Sequence, residues 1–175
     1  GIFLSIETRI SQPITPLRMF LDRNRAGTYA MMLALAAAMF GQFFFLTLFV
    51  QDVLGYSPLR AGLAFLPITA AIVMTSQFAA RSLPRIGPRR LMTAGALLGT
   101  VGLAWLTQIS VTSGYVAGIL GPMLVFGLGM GLLFVPLTIV AVSGVAPHEA
   151  GAASSLLNVT QQVGGSLGLS ILVTA

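Results

Sequence analysis

The stretch Ala80-Arg-Ser-Leu-Pro-Arg-Ile-Gly-Pro-Arg-Arg90 places four of the chain's nine arginines within ten residues, with no acid among them. Residues 61–80 before it carry no charge, and after it no acidic or basic residue occurs until His148. A bilayer core of about 30 Å needs roughly twenty apolar helical residues to cross it. A basic cluster between two such runs is a hairpin at one membrane face, and its flanks are spans.

Composition points the same way. Hydrophobic residues make up 56% of the 175 residues and charged residues only 7%, and the mean hydropathy is +0.94. A soluble domain carries about a quarter charged residues, so this chain lacks the charges to coat a water-facing surface, and an integral membrane protein is expected. The net charge of +5 does not indicate nucleic acid as a partner, because the arginines sit at the ends of apolar runs and form no solvated face. The absence of cysteine excludes disulfides and thiolate metal sites. Apolar runs recur throughout, unlike the single short N-terminal run of a signal peptide. Gly1-Ile-Phe-Leu-Ser-Ile-Glu7 resembles the tail of an earlier span, and Gly168-Leu-Ser-Ile-Leu-Val-Thr-Ala175 is still apolar. The expectation is an internal fragment of a longer protein. Residues 1–25 would be the end of a preceding span plus a cytoplasmic, interfacial linker, and residues 26–175 one bundle. The lack of lysine and the abundance of alanine and glycine fit a GC-rich bacterial gene.

Five stretches are long and apolar enough to span, at about 26–50, 59–80, 91–108, 115–142 and 149–172. They are expected to be helices, because in lipid each backbone group must be satisfied within its own segment. With alternating spans, Arg9, Arg18, Arg23, Arg25, Arg81, Arg85, Arg89 and Arg90 share one side and only Arg60 lies opposite. The positive-inside rule makes the eight-arginine side, including residues 80–90, cytoplasmic. Ser57 is a candidate N-cap with Pro58 at the first helical position. Glu149 falls in a first turn, where the helix dipole favours an acid. Pro13, Pro16, Leu17, Phe20 and Leu21 suggest a short interfacial segment.

No carboxylate falls inside a span: Glu7, Asp22, Asp52 and Glu149 all lie at span ends. An intramembrane acid relay is therefore not expected here. His148 is the single histidine and has no triad or metal partners in view, so no enzyme activity is expected. Gly95-x-x-x-Gly99, Gly114-x-x-x-Gly118, Gly127-x-Gly-x-Gly131 and Gly164-Gly-x-x-Gly168 would let helices approach closely. Pro67, Pro122 and Pro136 fall within spans, as static kinks or as hinges. Polar side chains within or near spans include Gln42 beside Phe43, Phe44 and Phe45, then Trp105 with Gln108, and a stripe of Gly151, Ser155, Asn158 and Gln162 on one helix face. Thr160 and Gln161 fit ordinary interhelical hydrogen bonding. Gln42, Asn158 and Gln162 fit that role or the wall of a water-filled substrate path, with Phe44 and Trp105 as its aromatic members.

Three segments resemble a known family. Phe49-Val-Gln-Asp-Val-Leu-Gly-Tyr-Ser-Pro-Leu-Arg-Ala-Gly-Leu-Ala-Phe-Leu-Pro67 is similar to the junction of the first two spans in the C-terminal half of the 14-span drug:proton antiporters of the major facilitator superfamily. Pro16-Leu-Arg-Met-Phe20 and Gly151-Ala-Ala-Ser-Ser-Leu-Leu-Asn-Val-Thr-Gln-Gln-Val-Gly-Gly-Ser-Leu-Gly168 resemble the same family. Arg85, Gly87, Arg89 and Arg90 match the superfamily's cytoplasmic loop motif, while Ala80 and Pro84 replace its first glycine and its acid. The missing acid removes the group that helps latch the inward side in that family. The resemblance implies five helices of a six-helix C-terminal bundle lacking its final span. It also implies a missing N-terminal half that carries the proton-coupling residues, no cofactor beyond a proton gradient, and export of hydrophobic or cationic drugs from a bacterial plasma membrane by alternating access. An uptake symporter for a metabolite and a non-transporting scaffold subunit are the alternatives. Expected partners are the lipid bilayer, the missing half and a small-molecule substrate.

Overall fold

The computed structural model describes residues 23–110, 114–143 and 150–174, and every element among them is helical. Helix α1 runs Arg23–Leu48 and widens into a π-helical turn, Phe49–Val53. The second span is two helices, α2 (Pro58–Ala64) and α3 (Leu66–Ile86). Helix α4 covers Pro88–Leu106. A second π-helical segment, Tyr115–Leu120, leads into α5 (Gly121–Val142), and α6 covers Ala150–Thr174. The expected interfacial segment near Leu17, the first-turn Glu149 and the His148 turn lie outside the described residues.

Four helical stretches are long and apolar enough to cross a membrane: Gly27–Val53, Pro58–Ile86, Gly118–Ala141 and Ser154–Thr174. The expected span at 91–108 forms as α4, 19 residues long, but is not among them. Its first turn contains Arg89 and Arg90, and these two charges dilute an otherwise apolar segment. At 1.5 Å per residue the helix is still about 28 Å long.

A second difference concerns the arginine hairpin, which is not an eleven-residue loop. Helix α3 continues through Arg81, Pro84 and Arg85 to Ile86, and α4 starts at Pro88. Gly87 alone connects them, with φ 83° and ψ 155°. That backbone region is essentially glycine-only. Pro88 then pre-sets φ for the first position of α4. At the other end of the second span the start is as expected: the Arg60 amide donates to the Ser57 hydroxyl at 3.4 Å, with Pro58 in the first turn.

The prolines act in different ways. Pro67 is not in a helix interior but in the first turn of α3, just beyond the break at Phe65. Lacking an N–H, it can give nothing to the Leu63 carbonyl, which favours interruption there. Pro122 is the second residue of α5, where the π-helical segment ends. Pro136 is truly internal and almost fully buried, and α5 is continuous through it.

The described residues form two compact units. One comprises α1 through Phe40 together with the chain from Ile139, and the other is Gly41–Thr138. In the second unit, Leu46, Val50, Ala61, Phe65, Ile119 and Met123 form a buried cluster. Glycine contacts set the spacing of its longer helices. A Cβ placed on Gly95 would come within 2.8 Å of the Gly129 carbonyl, and one on Gly102 within 2.6 Å of the Phe126 amide. On its other side, α5 meets α3 through Gly127 against Ile68 and through Gly131 against Ile72 and Thr75. The Ser76 hydroxyl also reaches the Gly131 carbonyl at 3.5 Å. The most apolar window of the Gly118–Ala141 span is accordingly 56% buried, against 22% to 28% in the other three. In the first unit, α6 sits on α1 through Gly164 at Leu33, Gly165 at Phe40 and Gly168 at Ala37.

Gly129→Leu should force α4 and α5 apart, at a cost of about 1–3 kcal/mol or more. Gly62→Ala, in an exposed helical turn with nothing within 4 Å of its new methyl, should be neutral or stabilising by up to about 1 kcal/mol. Thermal unfolding of the full-length protein in detergent checks both. Gly87→Ala also meets no neighbour, so its expected loss of about 1–3 kcal/mol in the same assay would be backbone strain alone.

Candidate substrate path and the outer aromatic cluster

Helix α6 has three distinct stripes. Leu157, Gln161, Gly164 and Gly168 form the packed side, with Leu157 buried and the Gln161 amide donating to the Met32 sulfur at 3.6 Å. Val159, Val163, Leu167 and Ile171 are exposed and apolar. Between them lie Gly151, Ser155, Asn158 and Gln162, all exposed. The centre of this polar stripe is about a third of a turn from the packed side.

The polar groups of α6 separate into two kinds. Thr160, Ser166, Ser170 and Thr174 donate their hydroxyls to carbonyls three or four residues back, at 2.6–3.1 Å. These residues satisfy their own polarity and can face lipid cheaply. Asn158 and Gln162 have no hydrogen-bond partner among the described residues. A carboxamide has two donors and two acceptor lone pairs, and lipid satisfies none of them.

The other expected path residues, Gln42, Phe44 and Trp105, lie in the Gly41–Thr138 unit. Phe44 is half-buried and meets Phe45 edge-on, ring centroids 5.5 Å apart at 82°. Phe43 stacks on Phe65 at 4.8 Å, tying the end of α1 to the break between α2 and α3. Trp105 lays its six-membered ring against Gly121 at the start of α5 while remaining 46% exposed. That places Trp105 at a helix contact. The Gln42 amide nitrogen is buried without a hydrogen-bond partner, an arrangement costing about 1–3 kcal/mol. It is the one path candidate in this unit with an unmet polar demand among the described residues.

At the motif junction, Arg81 and Arg85 project from the end of α3, and Arg89 and Arg90 from the first turn of α4. All four are exposed and none forms an ion pair among the described residues. Arginines near a helix C-terminus are favoured by its dipole, whereas those in a first turn are not. Arg89 and Arg90 are tolerated because they are solvated.

The far end of the Gly41–Thr138 unit holds a cluster that the sequence did not single out. The Arg60 guanidinium lies 3.9 Å from the centre of the Tyr56 ring, a cation–π contact. Tyr56 tilts against Tyr115 with centroids 6.3 Å apart. The Tyr115 hydroxyl donates to the Ala64 carbonyl at 2.5 Å. No spacing rule could have flagged this contact, because its partners are 51 residues apart.

Comparison with known proteins agrees with the resemblance noted above. The model of the Major Facilitator Superfamily matches residues 4–169. Puromycin resistance protein pur8 of Streptomyces alboniger is 38% identical over 98% of this chain and 35% of its own length. Cephamycin export protein CmcT of Amycolatopsis lactamdurans is 41% identical over 98% of this chain and 36% of its own. A multidrug resistance protein B homolog of Mycobacterium tuberculosis is 31% identical over 95% of this chain and 32% of its own. The chain spans about a third of the length of these relatives. With helices suited to crossing a bilayer and a family match over nearly every residue, the chain is a multi-pass membrane protein segment belonging to the major facilitator superfamily.

Proposed function

We propose that the chain is most of the C-terminal half of a proton-driven exporter of hydrophobic or cationic drugs, of the 14-span kind, in a bacterial plasma membrane. The observation that carries this reading is the exposed pair Asn158 and Gln162, without hydrogen-bond partners among the described residues. In a membrane helix such a pair needs either another protein surface or water. A superfamily transporter supplies both, because its two halves rock about a midplane cavity that opens to each side in turn. The relatives are named for puromycin resistance, cephamycin export and multidrug resistance, which supports a drug as the small-molecule substrate.

Uncharged amides beside apolar side chains suit a weakly selective wall, since they can donate or accept and impose no charge on the ligand. Asp52, exposed in the π-helical turn at the end of α1, is the one acid among the described residues. Proton coupling is accordingly assigned to carboxylates in the absent half. The junction at Gly87, with Arg81, Arg85, Arg89 and Arg90 around it, is assigned to the cytoplasmic face.

Efflux by the full-length protein in proteoliposomes under an imposed proton gradient tests this reading. Asn158→Leu and Gln162→Leu should each change efflux of at least one drug by about two- to tenfold, the range expected for one net hydrogen bond. Other drugs should be spared. Uniform efflux of every substrate by both variants would remove these residues from the path, and no gradient-driven efflux by the parent protein would overturn the exporter assignment.

A further inference from the structure

The break in the second span and the wide turn before α5 are two irregular backbone segments that meet. Helix α2 ends at Ala64 and α3 begins at Leu66, and the ladder restarts with the Thr69 amide donating to the Phe65 carbonyl at 3.2 Å. The Ala64 carbonyl accepts the Tyr115 hydroxyl at 2.5 Å. Tyr115 is the first residue of the π-helical segment Tyr115–Leu120. Proline-linked breaks and π-helical turns are the places where a helix bends. Around this bond, Phe65 and Ile119 belong to one buried cluster, against which Tyr56 and Tyr115 pack. Arg60 covers the outer face of Tyr56.

We propose that Tyr115 is a positioning residue, a releasable latch whose hydroxyl holds the break between α2 and α3 to the turn before α5. The inference rests on the transport reading for its purpose: release would let the outer ends of these two spans part while their glycine-packed stretches stay together. Three observations favour a latch over a fixed strut. Among the described residues a single side-chain hydrogen bond crosses between the two segments, and one such bond is worth little in net terms. Both segments already depart from regular α-helix, so bending is concentrated at them. On the flanking surface Leu59 and Val116 are 78% and 74% exposed, so neither side chain is held in the buried cluster beneath.

The test uses the full-length protein in nanodiscs with spin labels at positions 59 and 116, both exposed. Pulsed dipolar spectroscopy should show a long-distance population that increases about two- to tenfold in Tyr115→Phe relative to the parent. 3-Fluorotyrosine at position 115, a stronger donor of nearly unchanged shape, should decrease that population and serves where the phenylalanine variant folds poorly. Distance distributions unchanged by either substitution would overturn the latch. In proteoliposomes Tyr115→Phe should change kcat for drug efflux with KM within about twofold of the parent, as expected for a step after binding. A parent protein that moves no drug would sink the transport reading while leaving the distance measurement to decide the latch.

Discussion

In a bilayer no hydrophobic force pulls one helix against another, because lipid tails are as apolar as leucine. What holds this bundle is how closely backbones can come. The decisive contact is α5 with α4, where Gly129 lies against the Gly95 carbonyl and the Gly99 backbone. The same helix meets α3 on another side through Gly127 and Gly131. Dispersion contacts fall off steeply with separation, so a helix pinned on two sides by missing side chains gains many weak attractions at once. The remainder of the Gly41–Thr138 unit is arranged around that pinned helix. Its outer aromatic cluster, its broken second span and its one-residue junction all lie on elements whose spacing α5 sets.

Much of this was readable in advance. Runs of apolar residues predict the helices, except that the second expected span is two, and α1, α5 and α6 reach their C-terminal ends within a few residues of the expected limits. The Ser57-Pro58 helix start was legible because its chemistry is local. The arginine segment was harder. Arg81 to Arg90 looks like a loop because charge and two prolines suggest solvent and turns, yet Pro84 falls in the last turn of a helix that continues to Ile86. Helix α4 shows the converse error of a composition scale: two arginines at its tip depress the average of a segment that is otherwise apolar.

The candidate site was legible only in part, for a reason that sits in its geometry. The stripe of Asn158 and Gln162 follows from four-residue spacing on a single helix, so sequence periodicity reveals it. Gln161, one residue away, turns to the packed side and reaches the Met32 sulfur, the interhelical role expected of it. By contrast, no spacing rule links Phe43 to Phe65, Trp105 to Gly121 or Tyr115 to Ala64. These contacts are made by tertiary approach, and each ties one helix to another.

The single residue between α3 and α4 has a consequence for handling as well as for movement. With Ile86 the last residue of one helix and Pro88 the first of the next, there is almost no extended chain at that corner. A protease needs several residues in extended form to cleave, so this basic corner should resist trypsin despite its four arginines. An inserted tag there would have to unwind one of the two helices before it could be accommodated. The corner most marked by charge is thus among the least accessible to enzymes that read charge.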